Sequence, residues 1–298
     1  MTSHDPDGAG WFTGIDPGDV ESGATAIAEG SAEAPRDWPT NAIDSGFADD
    51  EDDYYDRLHG ATLHAARSAV EERERADDQQ LKHAVRAMDD CERTANELSE
   101  RAVEWGGGLF ADVDAGIDGA REVATRDPEI EAERRAISLA ERVVELADEA
   151  EAIRGFIERT APSVAPNLSA MAGPVLASRL IALAGGLEPL AKKPSGTVQV
   201  LGAEDALFAH LEGHAPSPKH GIIFTHEYVR ETRPEDRGSA ARAFAGKLTI
   251  AARIDHYAGD YREEIHEDLR ERMATIRARA DEDGADTNAV ENPAEADR

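Results

Sequence analysis

Four histidines, His210, His214, His220 and His226, fall within seventeen residues of this 298-residue chain. Histidines at close spacing are common zinc ligands, so metal chemistry is the first question. His210 and His214 would share a face if their segment is helical, but Glu212 lies off that face. No HExxH motif, cysteine pair or facial carboxylate pattern accompanies them. Hydrogen-bonding or RNA-facing histidines fit better, and neither metal nor cofactor is expected. Two other sets could bind rather than react. One is KKPSGTVQVLGAED (192–205), which holds the only adjacent lysines, Lys192 and Lys193. The other is SAARAFAGKLTIAARIDH (239–256), where Arg242 and Arg253 stand eleven positions apart. Three helical turns separate them, about 20° off register and ~16 Å along the axis, so both project on one side, with Lys247 to a flank. That spacing suits a polyphosphate backbone. No nucleophile elbow or dinucleotide fingerprint occurs, and Gly106-Gly107-Gly108 is not followed by the Gly-Lys-Ser/Thr of a phosphate loop. No enzyme is expected.

Charge sets these cations in context. The chain holds 62 Asp/Glu and 32 Lys/Arg, a formal charge of −30, and lysine occurs only at Lys82, Lys192, Lys193, Lys219 and Lys247. Residues 165–255 carry ten Lys/Arg against nine Asp/Glu, net +1; the rest carries 22 against 53, net −31. Nineteen charged residues are too many for a segment that is merely core. A surface kept clear of net negative charge is the better account. The acid coat elsewhere, together with clear helical periodicity, fits a folded protein of a salt-loaded, halophilic cytoplasm better than a disordered acidic chain. Cys91 is the sole cysteine, which excludes an intramolecular disulfide and fits a reducing interior. No stretch approaches the ~20 apolar residues of a membrane span, and the amino terminus has no signal-peptide pattern; a cytoplasmic protein is expected.

The elements that must position these residues are mostly helices. Residues 1–50 read as an acidic, Gly/Pro-rich, partly ordered segment in which GWFTGID (10–16) resembles a short strand. Residues 51–107 read as helical, with Asp77 or Asp78 as a cap and Leu81, Val85 and Met88 on one face. The triple glycine should stop that helix. Asp127-Pro128-Glu129 marks the start of a long amphipathic helix reaching Ile157, which pairs with 112–125 or with another chain, or else simply faces the core. Pro162 and Pro166 should break it. Phe244, Leu248 and Ala251 or Ala252 form the buried face of the helix at 239–256, with Ser239 as its cap. Residues 261–280 form a last charged helix, and 283–298 a disordered acidic tail.

Several long motifs, in order, carry a resemblance. APNLSAMAGPVLASRLIALAGGLEPLAKKPSGTVQVLGAEDALFAHL (165–211), PKHGIIFTH (218–226) and DRGSAARAFAGKLTIAARIDHYAGDY (236–261) resemble the Nop domain, densely over about 100 residues. That domain belongs to the core protein of archaeal box C/D ribonucleoproteins and to its nucleolar and spliceosomal relatives. HAVRAMDDCERTANELSERAVEW (83–105) is similar to the end of the family's amino-terminal domain. The resemblance implies an all-α fold: a short amino-terminal α(+β) region with helices at 51–107 that bind fibrillarin, a coiled-coil hairpin at 108–161, and a helical Nop domain at 162–282. The family's hairpin is roughly twice as long, so here it is shortened.

The resemblance also implies a function. Family members scaffold a guide-RNA machine that methylates ribose 2′-hydroxyls of target RNA. The Nop domain binds kink-turn RNA occupied by a small ribosomal-protein-like partner, the amino-terminal domain holds the fibrillarin methyltransferase, and the coiled coil pairs two scaffolds. Carried over by position, Gly202-Ala203-Glu204 is the family's signature, followed by Asp205 where lysine is usual. Lys219-His220-Gly221 matches the loop before a short extended segment. Arg237, Arg242, Lys247 and Arg253 match, while Gly238-Ser239 lacks a usual cation. A protein-interaction adaptor without RNA contact is the alternative.

Overall fold

The computed structural model describes residues 10–31, 34 and 36–290, with side chains through Ala278. It is all-α: fourteen α-helices and, among the described residues, no strand. The chain divides between Ala76 and Asp77 into two compact units, and the division falls inside the segment 51–107.

The first unit holds α1 (Val20–Glu29), α2 (Trp38–Asp44) and α3 (Glu51–Arg75). Each begins on an aspartate whose carboxylate accepts a backbone N–H: Asp19 from Ser22 at 3.0 Å, Asp37 from Thr40 at 3.3 Å and Asp50 from Asp53 at 2.8 Å. The acidic run 49–53 is therefore a helix start, where carboxylates face the positive end of the helix dipole. GWFTGID is not a strand. Thr13 N–H bonds Gly10 O and Ile15 N–H bonds Phe12 O, giving successive turns through Gly14 at φ +76°. A strand would send Trp11 and Phe12 to opposite faces. Here both rings meet Phe47, at 5.3 Å between centroids in each case.

The second unit opens with a helical hairpin. The early part of α4 (Asp77–Gly107) packs Leu81, Val85 and Met88 against Ile157 and Ala161, near the end of α6 (Glu131–Val164). Its late part sets Ala102 against Ile137, Ala140 and Val143. The two helices are thus antiparallel, and α4 is the main partner of α6; α5 (Gly116–Ala124) closes the far end. The glycines do not stop α4 outright, since the helix runs through Gly106 to Gly107. Gly106 is where α5 presses: a Cβ there would lie 2.6 Å from Val123 Cγ2. The α6 start also differs, because Glu133, not Asp127, does the capping. Its carboxylate accepts the N–H of Glu129 at 2.6 Å and of Ile130 at 3.2 Å. Pro162 does not break α6 but lies in its last turn. The helix ends before Pro166, which opens the next one, as the steric restriction on a pre-proline residue requires.

The remaining helices make one bundle: α7 (Pro166–Ala172), α8 (Pro174–Ala184), α9 (Leu187–Lys192), α10 (Ser195–Val200), α11 (Glu204–Leu211), α12 (Glu227–Arg230), α13 (Arg237–Tyr257) and α14 (Glu263–Val290). Helix α13 is the axis and touches α7, α9, α10, α12 and α14. Phe244, Leu248, Ala251 and Ala252 are buried on it as their spacing predicts, and Ala240, Ala241 and Ala245 let neighbours approach closely. It starts at Arg237, two residues before Ser239. The last helix continues to Val290, into the segment expected as a tail; residues 291–298 lie outside the described residues. No single described helix is long and apolar enough to cross a membrane; α7 and α8 are apolar together but bent by 118°.

A polar knot ties the bundle. Buried Asp255 accepts Asn167 N–H at 2.9 Å, Asn167 Nδ2–H at 2.6 Å and Leu168 N–H at 2.8 Å, so α13 caps α7. Asn167 in turn donates to Asp260 O and accepts Arg262 N–H, both at 2.8 Å, which fixes the turn into α14. Burial pushes the Asp255 carboxyl up, and these hydrogen bonds pull it down. Asp255→Ala would orphan two buried backbone N–H groups and one N–H of the Asn167 side chain. We expect a loss of about 2–4 kcal/mol in urea unfolding; a loss under about 0.5 kcal/mol would show that the knot is not a support.

Candidate nucleic-acid interface

The turn between α10 and α11 is built on glycine. Gly202 sits at φ +81° and donates its N–H to Glu204 Oε1 at 2.9 Å, so Glu204 closes the turn and starts α11. Alongside runs the segment 219–222: Gly221 N–H bonds Gln199 O at 2.9 Å, Ile222 N–H bonds Leu201 O at 2.8 Å, and Gln199 Nε2–H bonds Lys219 O at 2.7 Å. Gly221 is obligatory, since a Cβ there would lie 2.0 Å from Leu201 O. These bonds place Lys219 and His220 beside Gly202-Ala203-Glu204.

Phe224 completes the corner. His220 stacks on it at 4.5 Å and the Arg237 guanidinium lies 5.3 Å from the ring centroid. Arg237 Nε–H also donates to Thr232 O at 3.0 Å. Lys219 reaches across to the start of α13, its Cδ 4.0 Å from where a Cβ on Gly238 would sit. Burial, with help from Arg237, pushes the His220 pKa down.

The other end of α13 meets α9. Arg253 donates Nε–H to Ala191 O at 3.0 Å, capping α9 where Lys192 and Lys193 follow. Lys192 pairs with Glu188 at 2.5 Å, which raises its pKa. Arg242 stands between the two ends, exposed and, among the described residues, without an ion-pair partner. Lys247 is turned away: it is half-buried and pairs with Asp268 of α14 at 2.7 Å. Apart from Lys247, the predicted residues thus form two groups with Arg242 between them. Gly202, Ala203, Glu204, Asp205, Lys219, His220 and Arg237 gather at one end, and Lys192, Lys193 and Arg253 at the other.

Sequence reasoning missed Phe208 and Leu211. Helix α11 buries no residue, and these side chains are 64% and 71% exposed. An i, i+3 apolar pair on a short helix was the available signal. The histidines have local duties. His210 Nδ1 lies 3.0 Å from Ala215 O, and His214 falls beyond the end of α11, so the two share no helical face. His226 Nδ1 accepts Tyr228 N–H at 3.2 Å and its ring packs on Phe244. Among the described residues, no three His, Cys, Asp or Glu side chains converge for a metal ion.

Comparison with known proteins gives the family. The Nop model, described as "snoRNA binding domain, fibrillarin", matches residues 113–276, more than half of the chain. The chain belongs to the Nop family. A NOP5 family protein of Methanocaldococcus jannaschii is 33% identical over 270 residues, 78% of this chain and 65% of that protein. Nucleolar protein 58 of Scheffersomyces stipitis is 34% identical over 48% of this chain and 29% of its own length. Nucleolar protein 56 of Homo sapiens is 37% identical over 46% and 24%. This Nop chain therefore spans just under two thirds of the first relative and under a third of the other two. Its fold resembles that in the crystal structure of a fibrillarin/Nop5p complex, with a TM-score of 0.51 and 24% identity over 86% of this chain and 92% of that one.

Burial lowers the His226 pKa, so the unfolded chain takes up a proton first as pH falls. The stability tied to neutral His226 is complete above the unfolded value of about 6.5 and is lost below it. Urea unfolding at pH 7.5, 6.0 and 5.0 should show a falling midpoint, with a shallower fall in His226→Asn, which keeps a capping side chain. Equal slopes would remove His226 from the titration.

Proposed function

We propose that this Nop-family chain is the RNA-binding scaffold of a box C/D guide ribonucleoprotein acting in ribose 2′-O-methylation. It would work in the cytoplasm and catalyse nothing itself. Its partners would be a box C/D guide RNA, a kink-turn-binding ribosomal-protein-like protein and a fibrillarin-type methyltransferase. One observation carries the reading: within an acid-coated chain, the segment 165–255, net +1, presents Arg242 on the exposed side of α13, between two clusters of cations. The match to a snoRNA binding domain and the likeness to nucleolar proteins 56 and 58 support it. Exposed Phe208 and Leu211 on α11, beside the Gly-Ala-Glu turn, suit a protein partner seated with the RNA.

Pairing of two scaffolds through the α4–α6 hairpin belongs to the same reading. Trp105 and Ile130, 43% and 52% exposed, lie at its tip. Light scattering should give twice the monomer mass, and Trp105→Glu with Ile130→Glu should return it to one.

Gel shifts test the main reading. The chain should bind kink-turn RNA carrying its ribosomal-protein-like partner more tightly than naked RNA. Arg242→Glu should weaken this about ten-fold or more, because a charge-assisted contact becomes repulsive. An adaptor without RNA contact would lose nothing. Binding should persist in multimolar KCl if shape and hydrogen bonds dominate, since the counterion-release contribution fades as salt rises. Collapse at high salt would assign recognition to charge attraction.

A further inference from the structure

Tyr257 is the last residue of α13 and 68% exposed, in a chain where only 5% of residues are aromatic. Burying a tyrosine ring is favourable, so an open ring on an ordered helix end is a surface feature to be explained. Its position is specific. By the 100° step of an α-helix, Tyr257 lies about 40° from Arg253 and about 60° from Arg242, on the same side of α13. It therefore extends the arginine face by one turn. The neighbouring end of α9 supplies Lys192 and Lys193, and α9 is held there by the bond from Arg253 to Ala191 O. The ring is also braced, with His256 edge-on at 4.5 Å.

We propose that Tyr257 is a stacking platform for an unpaired RNA base, with Lys192, Lys193 and Arg253 holding the adjoining phosphates. An aromatic face among cations is the arrangement by which proteins bind single-stranded nucleic acid, because every base offers a π-face and every nucleotide a phosphate. Ile250, 40% exposed and about 20° from Tyr257 around α13, and Tyr261, 52% exposed, also lie open near it, but the cations Arg253, Lys192 and Lys193 beside the ring favour RNA over a protein partner. The distance supports a second contact. The Gly-Ala-Glu corner lies at the other end of α13, a helix of 21 residues and so ~30 Å long. An RNA held at that corner would have to span about that length to reach Tyr257.

The inference rests on the scaffold reading, and the experiment separates the two. The probes are a blunt-ended kink-turn RNA and the same RNA with a single-stranded oligouridine extension at either end, each with the kink-turn-binding partner bound. Wild type should bind one extended RNA at least five-fold more tightly than the blunt one. Tyr257→Ala should abolish that gain and leave blunt binding unchanged, whereas Tyr257→Phe and Tyr257→Trp should keep it. Blunt binding with no gain from either extension would overturn this inference and leave the scaffold reading standing. So would an equal loss of Tyr257→Ala on both RNAs, or failure of Tyr257→Phe to retain the gain, which is the result expected for a protein-docking ring. No RNA binding by wild type would overturn both readings.

Discussion

The bundle depends on one helix being buried on several sides at once. Helix α13 sits among five neighbours, which only small residues permit at so many contact points. Alanines at 240, 241, 245, 251 and 252 bring the neighbouring helices close, while Phe244 and Leu248 fill the space left. Each large side chain contributes about 1.5–3 kcal/mol by leaving water. A helix so enclosed has one side left for solvent, and that side carries Arg242, Arg253 and Tyr257. The packing requirement and the exposed cationic side are thus two consequences of one sequence pattern. Asp255 links them, since it lies two residues from Arg253 and anchors α7 from the same helical turn.

The neutral charge of residues 165–255 has a structural meaning that the count alone does not convey. Most of its cations already have work inside the fold. Arg237 bonds a carbonyl and covers Phe224, Arg253 caps α9, Lys192 pairs with Glu188 and Lys247 with Asp268. Surface pairs of this kind add little stability, but they fix where each side chain points. A face built this way would recognise by position and shape more than by attraction, which is the mode that survives where salt screens charge over a few ångströms.

The predominance of helix, the long amphipathic helix and the buried face of α13 were legible because each rests on periodicity over many residues, whereas the all-α class came from the resemblance. The Gly-Ala-Glu corner was legible only as a resemblance; what makes it a corner, Gly221 against Leu201 O, depends on a contact across twenty residues. Errors fell where tertiary contact overrides local chemistry. Gly106 serves the approach of α5 and not helix termination, Pro162 is tolerated in a last turn, and GWFTGID folds onto an aromatic cluster. Asp78 is the clearest case. Read as a cap for its own helix, it is buried and accepts Leu187 N–H of α9 at 2.8 Å, over a hundred positions along the chain.

That bond, set beside the one from Arg253, explains how the lysine pair is held. Helix α9 has six residues, far below the length at which a helix is stable alone. Its first N–H is taken by Asp78 of the hairpin and a carbonyl of its last turn by Arg253 of α13. A short helix clamped at both ends by side chains from two different elements has little freedom to shift. Gln79 reinforces the first clamp by donating to Gly185 O at 3.4 Å, and Arg179 of α8 reaches Asp89 of α4 at 2.5 Å. The hairpin and the cationic end of α13 are therefore coupled through α9 itself. The start of α4 and the lysine pair at the end of α9 are thus held at fixed positions relative to one another.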